Sequence, residues 1–237
     1  MDNNWGKAGS DLMTEAPATQ DATASPGVAS PEPEDRLRAD TYRVLGRLLA
    51  APPDAETLDL FAEAPVSNED SLLAVAWRML AMSAERASPA DVADEYQTLF
   101  IGLGRGELVP FGSWYLTGFL MEQPLARLRI DMQKLGFERQ ENVAEPEDHA
   151  GALCEIMALL AEEGGPGSLA AQAAFFEAHI GPWMPRFFRD LQEAPSARFY
   201  RAVGQLGEQF INTDQRYLEM VERSGDSSPD SIRPGIS

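Results

Sequence analysis

Apolar residues recur at intervals of three and four along most of the chain, and the breaks between them divide it into helices. Leu37, Val44, Leu45, Leu48 and Leu49 make a first stripe, which Pro52-Pro53 ends. Leu72, Val75, Ala76, Met79 and Leu80 make a second, with Ser67 and Asp70 ahead of it in capping-box spacing. Ser88-Pro89-Ala90-Asp91 reads as an N-cap, a proline at the first helical position and an acid in the first turn; its helix runs through Val92, Tyr96, Leu99, Phe100 and Leu103. A loop holding Gly102, Gly104, Gly106, Pro110 and Gly112 follows, and Trp114 and Tyr115 are read as part of it, lining a groove. Leu125, Leu128, Met132 and Leu135 then mark a helix for which Gly136 is the expected stop.

Beyond the polar linker ERQENVA, a near-continuous apolar run from His149 to Leu160 predicts a buried helix ended by Gly164-Gly165-Pro166. Ser168 is the expected cap of the next helix, which reaches FFEAHIGPWMPRFF at 175 to 188, where Pro182 and Pro185 break and restart it. Ser196 is expected to start the last long helix, through Phe199, Val203, Leu206 and Phe210. No alternating strand pattern and no fixed-period repeat stands out. The predicted fold class is all-α, a single globular helical bundle with disordered termini.

Composition sets the limits of that domain. Residues 1 to 35 carry seven acids and one Lys among Pro, Ala, Ser and Thr, without sustained apolar periodicity; residues 224 to 237 are polar and broken by Pro and Gly. Both read as disordered tails, leaving residues 36 to 223 as the helical domain. The formal charge is −19, from 38 acids against 19 Lys and Arg. The tails carry −6 and −1 of it, so −12 belongs to the domain. A surface of that sign excludes a nucleic-acid partner and favours a basic one. No cationic-then-apolar leader opens the chain, no Arg-Arg pair occurs, and no run approaches the length of a membrane span. With one cysteine, Cys154, these features predict a cytoplasmic protein without stable membrane insertion.

The densest chemistry is Glu145-Pro146-Glu147-Asp148-His149. Read as a helix start, it puts Pro146 in the first turn and three acids at the positive end of the dipole. That leaves His149 at the edge of the buried stripe with Leu153, Met157 and Leu160, where an imidazole needs a polar partner. Structural cap and functional site both remain open at this point. A metal needs three or four converging ligands, yet His179 is 30 residues away and neither HExxH nor CxxC occurs. No metal site and no catalytic residues are expected. A hydrolase built on Asp148 and His149 is the weaker alternative, since no nucleophile motif accompanies them. Gly102-Leu103-Gly104-Arg105-Gly106 follows a helix instead of a strand and reads as a flexible connector, not a nucleotide loop.

Three of these stretches, in order, resemble the TorD/DmsD/NarJ family of redox-enzyme maturation chaperones. Glu95-Tyr96-Gln97-Thr98-Leu99-Phe100, with Gly102 and VPFGSWYLTG after it, is similar to the family's aromatic-x-x-Leu-Phe segment and the loop that follows. Glu145 to His149 matches its Glu-Pro-x-Asp-His hallmark, and residues 175 to 188 its aromatic and Trp-containing third segment. The resemblance covers about residues 36 to 220. It implies an all-helical chaperone that binds the twin-arginine leader and apo form of a molybdenum oxidoreductase, supports cofactor insertion and delays export until maturation. It carries over Tyr96, Leu99, Phe100, Ser113, Trp114, Glu145, Pro146, Asp148 and His149 as leader-binding residues. Weak guanine-nucleotide binding is associated with family members, and nothing in these residues supports it independently; no other cofactor is implied. A non-export helical adaptor is the alternative, and a monomer and a dimer swapped through the Gly102 to Gly112 hinge are both open. A leader offers two arginines and then an apolar stretch, so Asp148 and Glu145 are expected to set register through exposed ion pairs while aromatics hold the peptide. On that expectation, Asp148→Ala weakens binding and leaves the fold intact.

Overall fold

The computed structural model describes residues 13–15, 31–65, 67, 69–103, 105–139 and 145–225. Among the described residues ten α-helices form the body: α1 (Pro33–Ala50), α2 (Ala55–Glu63), α3 (Leu72–Arg86), α4 (Pro89–Tyr96), α5 (Gly112–Thr117), α6 (Gln123–Lys134), α7 (Ala150–Glu163), α8 (Gly165–Phe175), α9 (Met184–Glu193) and α10 (Phe199–Gly225). The fold is all-α, as the periodicity predicts, apart from a two-stranded antiparallel ribbon. In that ribbon β1 (Met13–Glu15) pairs with β2 (Phe137–Arg139), Thr14 opposite Glu138. Three-residue strands are too short to show alternation. The helical domain begins at Pro33 and runs to Gly225, slightly wider than the expected 36 to 223. Residues 1–12, 16–30 and 226–237 of the expected tails lie outside the described residues.

The α7 helix is the centre of the bundle. Ala150, Leu153, Cys154, Ile156, Met157 and Leu160 are all buried, so it is apolar nearly all round, as a helix enclosed by others must be. Its closest neighbour is α1, and the two backbones nearly touch at a pair of glycines. A Cβ on Gly46 would lie 3.2 Å from the Gly151 carbonyl, and one on Gly151 would lie 3.0 Å from the Gly46 carbonyl. On the other side α10 packs against α9, α3 and α8. Gly207 leaves room there for Phe188, whose ring a Cβ would meet at 2.2 Å.

Two polar devices tie the long helices together. Asp214 of α10 accepts from Arg38 Nε and Nη2 and from Tyr42 Oη (2.7 Å) of α1, and Arg38 also reaches Asp35 at 2.9 Å. The N-terminus of α10 is capped from a distance. The carboxylate of Glu95 on α4 accepts from the backbone N–H groups of Arg198 (2.8 Å), Phe199 (3.1 Å) and Tyr200 (2.7 Å).

Local start and stop signals give mixed results. Ser88 caps α4 with Pro89 at its first position, Gly136 takes a left-handed φ of 79° after α6, and Gly164 ends α7. The cap of α3 is Ser71, bonding Ala74 N–H at 3.1 Å, so the Ser67 and Asp70 spacing misplaces it. Ser168 lies inside α8 and donates to the Leu160 carbonyl, tying α8 to α7 instead of capping it. Ser196 sits in the turn before α10, bound to Glu107. Leu37, Leu72 and Met79, counted in the buried stripes, are exposed. No helix of the described residues is long and apolar enough to cross a membrane.

Candidate functional site

The Glu145 to His149 segment is a turn that precedes α7, not its first turn. The helix begins at Ala150 with His149 as its N-cap, and its first turn contains no acid. His149 Nδ1 accepts the Gly151 N–H at 3.1 Å, which places the ring proton on Nε2. The ring is enclosed, with Phe111 edge-on at 5.1 Å, and burial pushes its pKa down to about 4. At neutral pH it is an uncharged cap.

The same turn grips the chain 35 residues earlier. Ala150 N–H donates to the Pro110 carbonyl (2.8 Å), Gly112 N–H to the Asp148 carbonyl (2.9 Å) and Ser113 N–H to Asp148 Oδ2 (2.7 Å). Phe111 and His149 pair as an isolated antiparallel bridge. Glu147 accepts from Arg129 Nε (3.1 Å to each oxygen) and Nη2 (2.9 Å) of α6. Three of the five residues are thus built into the fold. The expectation that Asp148 forms an exposed ion pair is corrected: its side chain is 3% exposed.

One atom of this turn is unspent. Asp148 Oδ1 is buried and has no hydrogen-bond partner among the described residues. A buried carboxylate oxygen needs a hydrogen-bond donor, so an orphaned one is costly unless a ligand supplies it. Asp148 lines a cleft of about 420 Å³ between α5, α6, α7 and the segment before α9, whose walls include Leu116, Pro124, Leu128 and Trp183. Among the described residues the other carboxylate lining it is Asp131, already bound to His179 Nε2 (3.0 Å) and Lys134 Nζ (2.7 Å). The Lys134 hydrogen bond, with help from His179, holds the Asp131 carboxyl below its ordinary range, while burial lowers His179 despite Asp131. Trp183 donates its indole N–H to the His179 carbonyl at 2.7 Å, and the missing side chain of Gly112 makes room for that indole.

Among the described residues, none of the others named from sequence lines this cleft: Ser113, Glu145, Pro146 and His149 belong to the Asp148 turn and its partners, and Tyr96, Leu99 and Phe100 form a separate group. Tyr96 donates to the Leu49 and Ala50 carbonyls (3.1 and 3.0 Å) at the end of α1 and packs against Phe100 and Tyr200. Leu99 is fully buried and Phe100 half-buried. Ser113 is fully buried, its hydroxyl accepting the Met121 N–H at 3.2 Å. Trp114 and Tyr115 belong to α5 and not to a loop; the Arg105 guanidinium lies 4.5 Å over the Trp114 ring. Glu145 and Pro146 are half-buried, and burial raises the Glu145 pKa. Glu145 is close enough to Tyr96 for its charge to add to the rise that burial causes in that phenol.

Two π-turns lie where the aromatic motifs sit. Gly102 N–H closes one onto the Gln97 carbonyl (2.7 Å), and Gly181 N–H closes the other onto Phe176 (2.8 Å). Just past the glycine segment, whose Gly104 lies outside the described residues, Leu108 N–H returns to the Leu99 carbonyl at 2.8 Å and Glu107 accepts from Ser196. Glu95, Asp131, Arg129 and Trp183 matter here without a sequence-stated role. Asp131 and His179 are 48 positions apart, and only the fold brings them together. Among the described residues no group of three or more His, Cys, Asp or Glu is placed to hold a metal ion.

With that geometry in place, comparison with known proteins is informative. A sequence profile described as nitrate reductase delta subunit matches residues 67–189. The Tat proofreading chaperone DmsD of Salmonella typhi is 34% identical over 177 residues, covering 71% of this chain and 84% of that protein. The chaperone protein TorD of Shewanella loihica is 26% identical over 203 residues, covering 77% of this chain and 93% of its own. A crystal structure described as a redox enzyme maturation protein from Archaeoglobus fulgidus superposes with a TM-score of 0.46 at 15% identity, over 84% of this chain and 99% of that one.

Proposed function

The chain belongs to the TorD/DmsD/NarJ family of redox-enzyme maturation chaperones, and on that premise we propose that it binds the twin-arginine leader and apoprotein of a molybdenum oxidoreductase in the cytoplasm. It is a chaperone of redox-enzyme maturation and not an enzyme. In this reading it supports cofactor insertion and delays export until the client is mature.

The observation that carries the reading is the orphaned Asp148 Oδ1 in a cleft that combines apolar walls (Leu116, Leu128, Trp183) with charged side chains of α6. A guanidinium is the natural partner of such an oxygen, because it is always charged, weakly hydrated and presents N–H groups in a planar fork. A hydrogen bond to a charged group contributes about 1.5–3 kcal/mol, so one seated arginine orients a leader, and apolar contacts must supply the rest of its affinity. The net charge of −19 draws such a basic segment in. His149 and Glu147 act as positioning residues: they hold the turn that aims Asp148.

The test is calorimetric titration with synthetic leader peptides of several molybdenum oxidoreductases, each with its arginine pair intact or changed to lysines. Saturable binding to one leader, weakened by the lysine change, supports the reading and names the client. Equal affinity for both peptides removes the arginine-specific part, and no binding to any leader overturns the reading.

A further inference from the structure

The turn between α5 and α6 exposes three consecutive large apolar side chains, Phe119 (68%), Leu120 (44%) and Met121 (71%). Leu116 and Ile130, also exposed, flank them and line the cleft that contains Asp148. Contiguous exposed apolar surface of this kind marks an interaction site on a soluble chain. We infer that this ridge is the seat of the apolar stretch of the leader peptide, which crosses Leu116 once its arginine is held at Asp148. The inference rests on the leader-binding reading.

Charge and connectivity select this occupant. The ridge is wired to the arginine seat: Met121 N–H donates to Ser113 Oγ (3.2 Å), and Ser113 N–H donates to Asp148 Oδ2 (2.7 Å). On the α6 wall, Arg127 and Lys134 repel a cation, and Asp131 is already engaged by Lys134 and His179. A ligand with a cationic group followed by apolar residues therefore has one polar anchor, with the ridge next to it. A second copy of this chain, with a formal charge of −19, would meet net like charge there.

The turn is also held in shape. Thr117 Oγ1 accepts the Phe119 N–H at 3.2 Å and Gly118 closes α5 with a φ of 83°. Met121 has a φ of 59°, a left-handed conformation in which glycine is the favoured residue. A methionine there gains no burial, since its side chain is exposed, but it offers an adaptable thioether to an apolar partner. The strain supplies a clean probe. Met121→Gly removes the side chain and relaxes the backbone, so its thermal midpoint should be no lower than wild type.

The experiment titrates wild type, Met121→Gly and Phe119→Ser/Met121→Gly with a twin-arginine leader peptide and with the same peptide whose apolar stretch is replaced by serines. Binding of the intact peptide should weaken by about tenfold in the double variant, the scale of one apolar side chain's burial. The double variant should then lose less affinity than wild type on the serine replacement, because the two most exposed side chains of the ridge are already gone. Wild-type binding that survives both protein substitutions overturns this inference and leaves the leader reading standing. A change in the protein's own sedimentation mass with leader affinity unaltered overturns it too, by assigning the ridge to self-association. If the wild type binds no leader, both fall.

Discussion

Replacing Glu95 by alanine removes the carboxylate that accepts three backbone N–H groups at the start of α10. Arg198 is exposed and its N–H recovers water, but Phe199 and Tyr200 are buried. Stranding a buried donor costs about 1–3 kcal/mol, so two of them, with the lost charge at the helix N-terminus, imply about 3 kcal/mol. In a chain of this size that lowers the thermal midpoint by about 6–12 °C. Glu95→Gln keeps one acceptor oxygen but turns an NH2 toward the remaining donor, so an intermediate loss is expected. Urea denaturation followed by circular dichroism measures both, with an unchanged slope marking a pure stability effect. A Glu95→Ala midpoint equivalent to less than about 0.5 kcal/mol of loss would refute the argument, since that is the size of an ordinary surface substitution.

Asp148→Ala should cost about 1–3 kcal/mol because it strands the buried Ser113 N–H, whereas Asp148→Asn keeps an acceptor there and should melt close to wild type; equal loss in both variants would show that the charge itself stabilises the turn. Burial holds His149 near pKa 4, below its ordinary 6.5, so the unfolded chain takes up the proton first. Stability from the neutral ring is complete above about pH 6.5 and falls by on the order of 3 kcal/mol as pH drops to about 4. His149→Asn, which retains a cap acceptor, should flatten that acid limb in a pH series of urea midpoints, and an unchanged limb contradicts the assignment. Asp214→Ala leaves the Tyr42 hydroxyl without its acceptor and the buried Arg38 with Asp35 alone, and should cost about 3–5 kcal/mol, part of it recovered in Arg38→Met/Asp214→Leu; no recovery would mean the network does more than neutralise itself.

What could be read from the sequence follows the range of the forces involved. The helices are legible because burying one face imposes a 3.6-residue period, and Ser88-Pro89, Gly136 and Gly164 act within a turn of their own position. The width of the buried face is less so: Leu37 and Leu72 have the right spacing, yet no element covers them. The five-residue hallmark is visible as chemistry and misleading as geometry. Three acids before an apolar run look like a helix start, but Ser113 claims Asp148, Arg129 claims Glu147, and the helix waits for His149. Those claims come from residues 18 and 35 positions away, which no local rule can see. Glu95 is the extreme case, since its partners lie more than a hundred positions along the chain. The two groups of named residues, Tyr96 with Phe100 and Asp148 with its cleft, are likewise separated only by packing.

The central claim is that Asp148 Oδ1 receives one arginine of a leader peptide. A double-mutant cycle tests it directly, with wild type and Asp148→Asn each titrated against the leader bearing its arginine pair and against the lysine version. The account predicts that Asp148→Asn weakens binding of the arginine leader and nearly erases the difference between the two peptides, a coupling of about 1–3 kcal/mol. Independent effects, with the arginine preference undiminished in Asp148→Asn, would contradict it and place the arginine elsewhere.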